Sequence, residues 1–258
     1  MKLFDATLDL AAFAKGTEDH EVSSVYGNDI ICDDMSARFT EFGGGTIWIR
    51  SGESEGEFGK INDCAAQRLT TQDVYDLKKG DLITIGSWLE FDTQKLINAV
   101  NSVLRFYKIL KVNDELVYDP DQVYYDLPED VLKTEDIRKI RIETRHGSII
   151  NHYWRVEDKQ LHLYDRYRKR YPEEAKIKIF YVDYHGAVGK DDEIDSQVVP
   201  MYLRYMSWLY LCRNLIQGVH KDNLIASDMY NEAKIYERDY GNLPNKRLEL
   251  KTWTFPQW

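Results

Sequence analysis

The sequence predicts an α+β protein built from three main helices, two antiparallel β regions and an extended C-terminal arm. Three observations lead there. Apolar residues recur at helical spacing in 92–108, 196–217 and 222–240. Before and between those stretches, short runs of alternating apolar and polar residues are separated by Gly, Pro and Asp turns. After Gly241, the chain reads NLPNKRLELKTWTFPQW, an extended segment too short to pack alone.

The first 87 residues are expected to form a small β domain with a loose beginning around 15–25. GGGTIWIRSG places three glycines before an alternating run, SGESEGEFGKI reads as a Gly-rich hairpin turn, and KKGDLITIGS is a strand after a Gly-Asp turn. The Gly43–Gly45 run lacks a following GK[ST], so it is expected to be a turn needing positive φ and not a phosphate loop. A helix should follow, with Asp92 as N-cap and Leu96, Ile97, Val100, Val103, Leu104 and Tyr107 on one face. From about 111 to 190, ELVYD, QVYYDLP, DIRKIRIET, IINHYWRVE, KQLHLYDRY and AKIKIFYVDYH read as strands. Their short connections favour antiparallel pairing.

The long helix is expected from about Asp195 to Gln217, with Gly218 at C′. Asp192, Glu193 and Asp195 then sit where negative charge favours the helix dipole. The last helix is capped by Asp222, carries Ile225, Met229, Ala233, Tyr236 and Tyr240 on one side, and closes at Gly241. The expected units are therefore an N-terminal β domain at 1–87, helices at 88–110 plus 192–241, an inserted β domain at 111–191, and an arm at 242–258.

Net charge is −10, with 16 acidic against 8 basic residues in 1–87. Such a body argues against wrapping nucleic acid, because phosphate neutralisation needs clustered Lys and Arg. The tail, with Lys246, Arg247 and Lys251 against Glu249, suits an acidic partner or a docked terminus. Tyr164–Pro172, YDRYRKRYP, interleaves cations with tyrosines and reads as a charged hairpin tip or a contact to an acidic neighbour. Cys32, Cys64 and Cys212 are scattered and form no CxxC pair, which fits buried thiols in a reduced cytosolic protein. The N-terminal stretch is interrupted by Asp5 and Asp9 and is not expected to be a secretory signal. No histidine has metal-ligand spacing, and His152 and His162 fall in strand patterns. The acidic loop GKDDEIDSQ lacks a calcium rhythm, and no nucleophile elbow is present. No catalytic residue, metal or cofactor is expected.

The stretch VVPMYLRYMSWLYLCRNLIQGVH decides most of the functional reading. At about 100° per residue, Met201, Tyr202, Tyr205, Trp208, Leu209, Cys212, Leu215 and Ile216 fall on one apolar stripe, a core face. The other side still holds Leu203, Met206, Tyr210 and Leu211 beside Arg213. Arginines on opposite sides argue against a membrane span. The helix is either buried in its own domain or shared between subunits. Its aromatic, Met and Arg content favours a subunit interface through Leu203, Met206, Tyr210 and Arg213.

GGTIWIRSG followed by GEFGKI, the helix at 92–108, VYYDLPEDV, IKIFYVDYHGAV with its acidic loop, and YLRYMSWLYLCRNLIQGVHKDN…NEAKIYERDYG occur in that order. Together they resemble head–tail connector (adaptor, or head-completion) proteins of tailed double-stranded DNA bacteriophages, over about residues 40 to 241. The resemblance implies a non-enzymatic virion protein with a small helical bundle as its core, made of the helices at 92–108, 196–217 and 222–240. It implies a homo-oligomeric ring, commonly twelve-fold, on the portal protein in the neck of the particle, assembled in the host cytoplasm. A tail or stopper protein would dock below, and DNA would pass through the lumen without specific binding. The arm would reach the portal through Arg247, Trp253, Phe255 and Trp258. No membrane partner is expected. The two β regions depart from compact members of that family. They leave open a tail, baseplate or fibre-attachment protein, with a cytosolic carbohydrate-active enzyme as the reading from another class.

Overall fold

A computed structural model describes residues 1–14, 17–35, 42–86, 92–119, 121–132, 136–144, 147–151, 154–163 and 175–218, and positions 231, 234, 235 and 238. The described chain divides into two units. The first comprises Met1–Tyr107 and the chain from Gly186 through the long helix, and the second comprises Lys108–His185.

The first unit opens with helix α1 (Leu3–Phe13). Seven strands follow: β1 (Thr17–Glu21), β2 (Ser24–Tyr26), β3 (Asp29–Ile31), β4 (Thr46–Ile49), β5 (Phe58–Ala65), β6 (Arg68–Thr71) and β7 (Leu82–Gly86). They form one antiparallel sheet in the order β1-β7-β4-β5-β6-β3-β2. The two edge strands, β1 and β2, are separated in sequence by Val22 and Ser23 alone, so the sheet is rolled until its ends meet. The corner is stitched on both sides. Val22 N–H donates to Asp81 O at 2.9 Å, and Ser23 N–H donates to Ile31 O at 2.7 Å. Asp34 accepts from Glu21 N–H at 3.2 Å and lies 3.3 Å from His20 Nδ1. Closure by a bent strand leaves few free ladder groups and encloses a core of Val22, Ile30, Phe42, Ile47, Ile49, Ile61, Leu69, Ile83 and Ile85.

The β4 strand shows why the outside of this roll is covered as well. All four of its residues are buried. Ile47 and Ile49 join the inner core, while Thr46 and Trp48 alternate to the other face. There, Trp48 Nε1 donates to Thr7 Oγ1 of α1 at 3.1 Å. Thr46 Oγ1 lies 3.0 Å from Thr93 Oγ1 at the start of helix α2 (Thr93–Leu104). Packing is close: a Cβ on Gly86 would stand 3.1 Å from the Trp48 ring, and one on Gly45 would meet Gly86 O. Asp92 caps α2 by accepting from Lys95 N–H at 2.8 Å, as the sequence predicts.

The long helix α4 (Pro200–Gly218) packs on both α1 and α2. It begins five residues later than the hydrophobic pattern suggests, with Pro200 in the first-turn position that lacks nothing by losing its N–H. Asp192 and Asp195 therefore precede the helix. They close local turns, accepting from Gly189 N–H and Gln197 N–H at 2.8 and 2.7 Å. Of the helix expected at 222–240, Asn231, Lys234, Ile235 and Arg238 are helical and exposed. Its proposed apolar stripe lies outside the described residues.

The second unit contains β8 (Lys108–Val117), β9 (Tyr124–Asp126), the single turn α3 (Glu129–Leu132), β10 (Ile137–Thr144), β11 (Gly147–Asn151), β12 (Trp154–Glu157), β13 (Gln160–Leu163) and β14 (Lys176–Tyr184). They make a four-stranded sheet, β11-β10-β14-β8, and a three-stranded sheet, β12-β13-β9, both antiparallel. Ile140, Ile142, Ile177 and Ile179 of the first sheet share one core with Tyr125, Leu161 and Leu163 of the second. Alternation from Lys139 onward in β10 and through Phe180 in β14 puts these isoleucines on one face and Lys139, Arg141, Lys178 and Phe180 on the other.

The fold class expected from sequence is corrected by this architecture. The protein is mostly β, with 41% strand against 24% helix, and its largest element is the curled seven-stranded sheet, not a helical bundle with β additions. The physical reason is the sheet's double burial. Strands such as β4 are covered on both faces, so helices serve as a layer over the roll. The N-terminal region, expected to be β and loose at 15–25, instead supplies a helix and two paired strands.

Candidate subunit interface

The α4 helix has less uncovered surface than its sequence suggests. Phe13 of α1 stands edge-on to Tyr205 and Trp208, with ring centroids 5.3 and 5.9 Å away. The Arg204 guanidinium lies 5.2 Å from the Phe13 ring and donates to Asp9 of α1 at 3.0 Å. On the α2 side, Tyr107 packs edge-on to Tyr202 at 5.3 Å. Its hydroxyl donates to Gln197 O and accepts from Val199 N–H, pinning the start of α4.

Of the four residues expected at a subunit contact, Leu203 is only 2% exposed, buried by its own chain, and is removed from the outward face. Leu211 is buried too. Met206 is half-buried, and Tyr210 is 37% exposed. Arg213 lies in α4, with its side chain outside the described residues. Among the described side chains of α4, Tyr210 is outward beside the half-buried Met206. Met201, expected on the core stripe, is also 37% exposed but stands in the first turn on the opposite side of the helix, nine positions from Tyr210. The arm residues Arg247, Trp253, Phe255 and Trp258, and the tyrosine–arginine run at 164–172, lie outside the described residues.

Chemistry-bearing side chains elsewhere serve the fold. His162 of β13 is buried, stacks on Tyr124 at 4.3 Å and accepts from Arg155 Nε at 3.3 Å, the behaviour of a structural histidine. Cys32, Cys64 and Cys212 are buried and form no disulfide, and burial pushes Cys32 up to about 12 with Asp34 and Asp33 adding to the effect. Among the described residues, no group of three or more His, Cys, Asp or Glu is arranged to hold a metal ion. No described helix is long and apolar enough to cross a membrane. An apolar cavity of about 330 Å³ in the second unit is lined by Leu127, Val131, Ile137 and Trp154, with Lys159 at its rim.

One polar cluster in the second unit makes stability depend on pH. Burial alone would raise the Asp130 carboxyl. However, Tyr181 OH donates to it at 2.6 Å, Asn113 Nδ2 at 3.2 Å and Val131 N–H at 2.9 Å, and together they hold it below the usual carboxylate range. A depressed folded-state value adds stability that is present above the unfolded value of about 3.9 and lost as pH falls through the folded one. Thermal unfolding of the Asp130→Asn variant is expected to lose that share of the acid dependence, and an unchanged pH profile would refute the assignment.

No known protein-family model matches the chain, and no curated protein matches its sequence.

Proposed function

We propose that the chain is a structural virion protein of a tailed bacteriophage, a head–tail adaptor that assembles as a homo-oligomeric ring on the portal and joins the DNA-filled capsid to the tail. The motif order from GGTIWIRSG to NEAKIYERDYG supports this reading. The observation that carries it in three dimensions is the outward side of α4. Among the described side chains of α4, Tyr210 stays exposed with Met206 half-buried beside it, while Leu203, Leu209 and Leu211 are buried. Aromatic and Met side chains left outward beside a packed core are the residue types enriched at subunit contacts. The contact is smaller than a four-residue patch including Leu203 and is centred on Tyr210. The tail, the stopper and the lumen DNA enter as partners of the same proposal, as does the location in the virion neck.

The test is copurification with a portal protein together with the mass of the assembly. Tyr210→Glu with Met206→Glu should abolish ring formation. Surface substitutions usually shift stability by about 0.5 kcal/mol or less, so the melting temperature of Tyr210→Glu alone should hardly change. Rings of unchanged mass in the double variant would remove α4 from the contact, and absence of portal binding by the wild type would remove the adaptor reading. A second reading, a tail, baseplate or fibre-attachment protein, is favoured by the predominance of β structure. A trimer that ignores the portal would select it.

A further inference from the structure

The outer face of the four-stranded sheet in the second unit breaks the usual rule of surface charge. Opposite the buried isoleucines, β10 presents Lys139 and Arg141, and β14 presents Lys178 and Phe180. In register, Lys139 faces Phe180, Arg141 faces Lys178, and Phe180 faces Val112 of β8. Two cations directly across a strand pair repel each other, and a sheet with nothing to gain from them would alternate sign. Lys178 is neutralised by Glu143 at 2.5 Å. Lys139 and Arg141 have no carboxylate partner among the described residues. Instead both lean on Phe180, the Lys139 ammonium 5.9 Å and the Arg141 guanidinium carbon 5.3 Å from the ring centroid. Arg141 Nε is buried with no hydrogen-bond partner. Partial burial, and Arg141 beside it, both push Lys139 down. Val112, at the edge of this patch, is 50% exposed. An apolar centre beside two cations that have no carboxylate partner among the described residues, in a protein of net charge −10, is a surface suited to an anionic partner.

A surface of opposite character lies on the first unit. The turn at 50–57 and the segment 72–77 meet where Ser54 Oγ accepts from Asp76 N–H at 3.0 Å. There Glu53 and Asp76 share a hydrogen bond that raises Asp76, while Lys78, the one cation bonded to Glu53, lowers it. Glu57 and Asp73 flank the buried Tyr75. Between Asp73 and Asp76 along the chain, Val74 is 67% exposed. The two surfaces are opposite in character: Lys139 and Arg141 beside Phe180 and Val112 on one, and Asp73, Asp76 and Glu57 near Val74 on the other, with Glu53 paired to Lys78 at its edge.

We infer that the Lys139–Phe180–Arg141 face of one copy docks on the Glu53–Val74–Asp76 patch of a second copy, in a head-to-tail contact. Unlike surfaces that meet this way repeat from copy to copy, and they close into a ring when the rotation between copies allows it. The contact rests on the oligomeric part of the proposed function and supplies a second element of the ring, distinct from the α4 contact.

Charge swapping of the full chain tests it. By analytical ultracentrifugation, the wild type should associate, and association should weaken steeply between low salt and 1 M NaCl as charges are screened. Lys139→Glu with Arg141→Glu, and separately Glu53→Lys with Asp76→Lys, should each weaken association by about tenfold or more, since like charges then face each other. Mixing the two variants should restore it, because each reversed surface now complements its reversed counterpart. Circular dichroism melts confirm that both variants fold, and the mixing arm needs only one reversal per chain. Wild-type rings that neither reversal disturbs would overturn this contact and leave the adaptor reading standing. A wild type that is monomeric at every concentration would overturn both. Binding of a short DNA duplex, lost on reversing Lys139 and Arg141 while self-association is unchanged, would assign the face to nucleic acid and overturn the inference.

Discussion

Replacing Trp48 with Ala is expected to lower the unfolding free energy by about 3–5 kcal/mol, among the largest single-residue effects in the chain. Trp48 is fully buried on the outer face of the roll, against α1, in contact distance of the backbone at Gly86. Truncation leaves a void between a strand held on both sides and a helix, and neither can move far to fill it. It also removes the donor to Thr7 Oγ1, although Thr7 keeps its own bonds to Leu3 O and Phe4 O at 3.0 Å. The orphaned group is therefore an acceptor that already has work as a donor, and the hydrogen-bond share of the loss should be small. Trp48→Phe helps to separate the two: it removes the N–H and the five-membered ring but keeps an aromatic ring against α1, so a loss well below that of the Ala variant, about 1–3 kcal/mol, is expected. Denaturant unfolding of both variants measures this. Equal losses would mean that the indole N–H, and not its volume, holds the helix layer to the sheet.

Legibility in the sequence follows burial pattern. The α2 helix was readable because its single apolar stripe faces one neighbour and Asp92 announces its start. The strands β10 and β14 were readable because one face is core and the other is not. The α1 helix escaped because LFDATLDLAAF has two jobs. It buries Leu3, Phe4, Ala6, Leu10 and Ala11 and also meets α4 through Phe13 and Asp9, so apolar residues sit around much of its circumference and leave no clean period. The β1 strand, TEDHE, has almost no apolar side chain to alternate. It is a strand because β7 pairs with its backbone from Thr17 to Glu21. The site was half legible for the same reason. Helical geometry placed Leu203 with Met206 and Tyr210, but that Leu203 is fully buried while Tyr210 is not depends on tertiary packing that no periodicity carries. The pairs Lys139–Arg141 and Lys178–Phe180 are each visible in the sequence as alternation. That they face one another depends on cross-strand register, which no single segment carries.

Deleting residues 1–13 is expected to abolish cooperative folding of the first unit. The α1 helix buries Leu3, Phe4 and Leu10 almost completely, and full burial of each such side chain contributes about 1.5–3 kcal/mol. Three of them approach the whole stability of an ordinary domain, about 5–15 kcal/mol. The loss does not end with α1. Trp48 and Phe58 lose their cover on the outside of the sheet, the latter meeting Phe4 edge-on at 6.3 Å. On α4, Tyr205 and Trp208 lose Phe13, and Arg204 loses Asp9. The pairing of Met1 and Lys2 with Glu193 and Ile194, which ties the chain ahead of α4 to the N-terminus, also goes. The truncated protein should bind a hydrophobic dye and associate in a way that added salt does not reverse, because exposed apolar surface and not charge drives it. That contrast separates non-specific clustering from the charge-dependent head-to-tail contact. The decisive measurement is hydrogen exchange in β4 and α4 of the truncated chain. Retained protection at both, in a monomer, would mean that α1 is dispensable cover for the sheet and for α4.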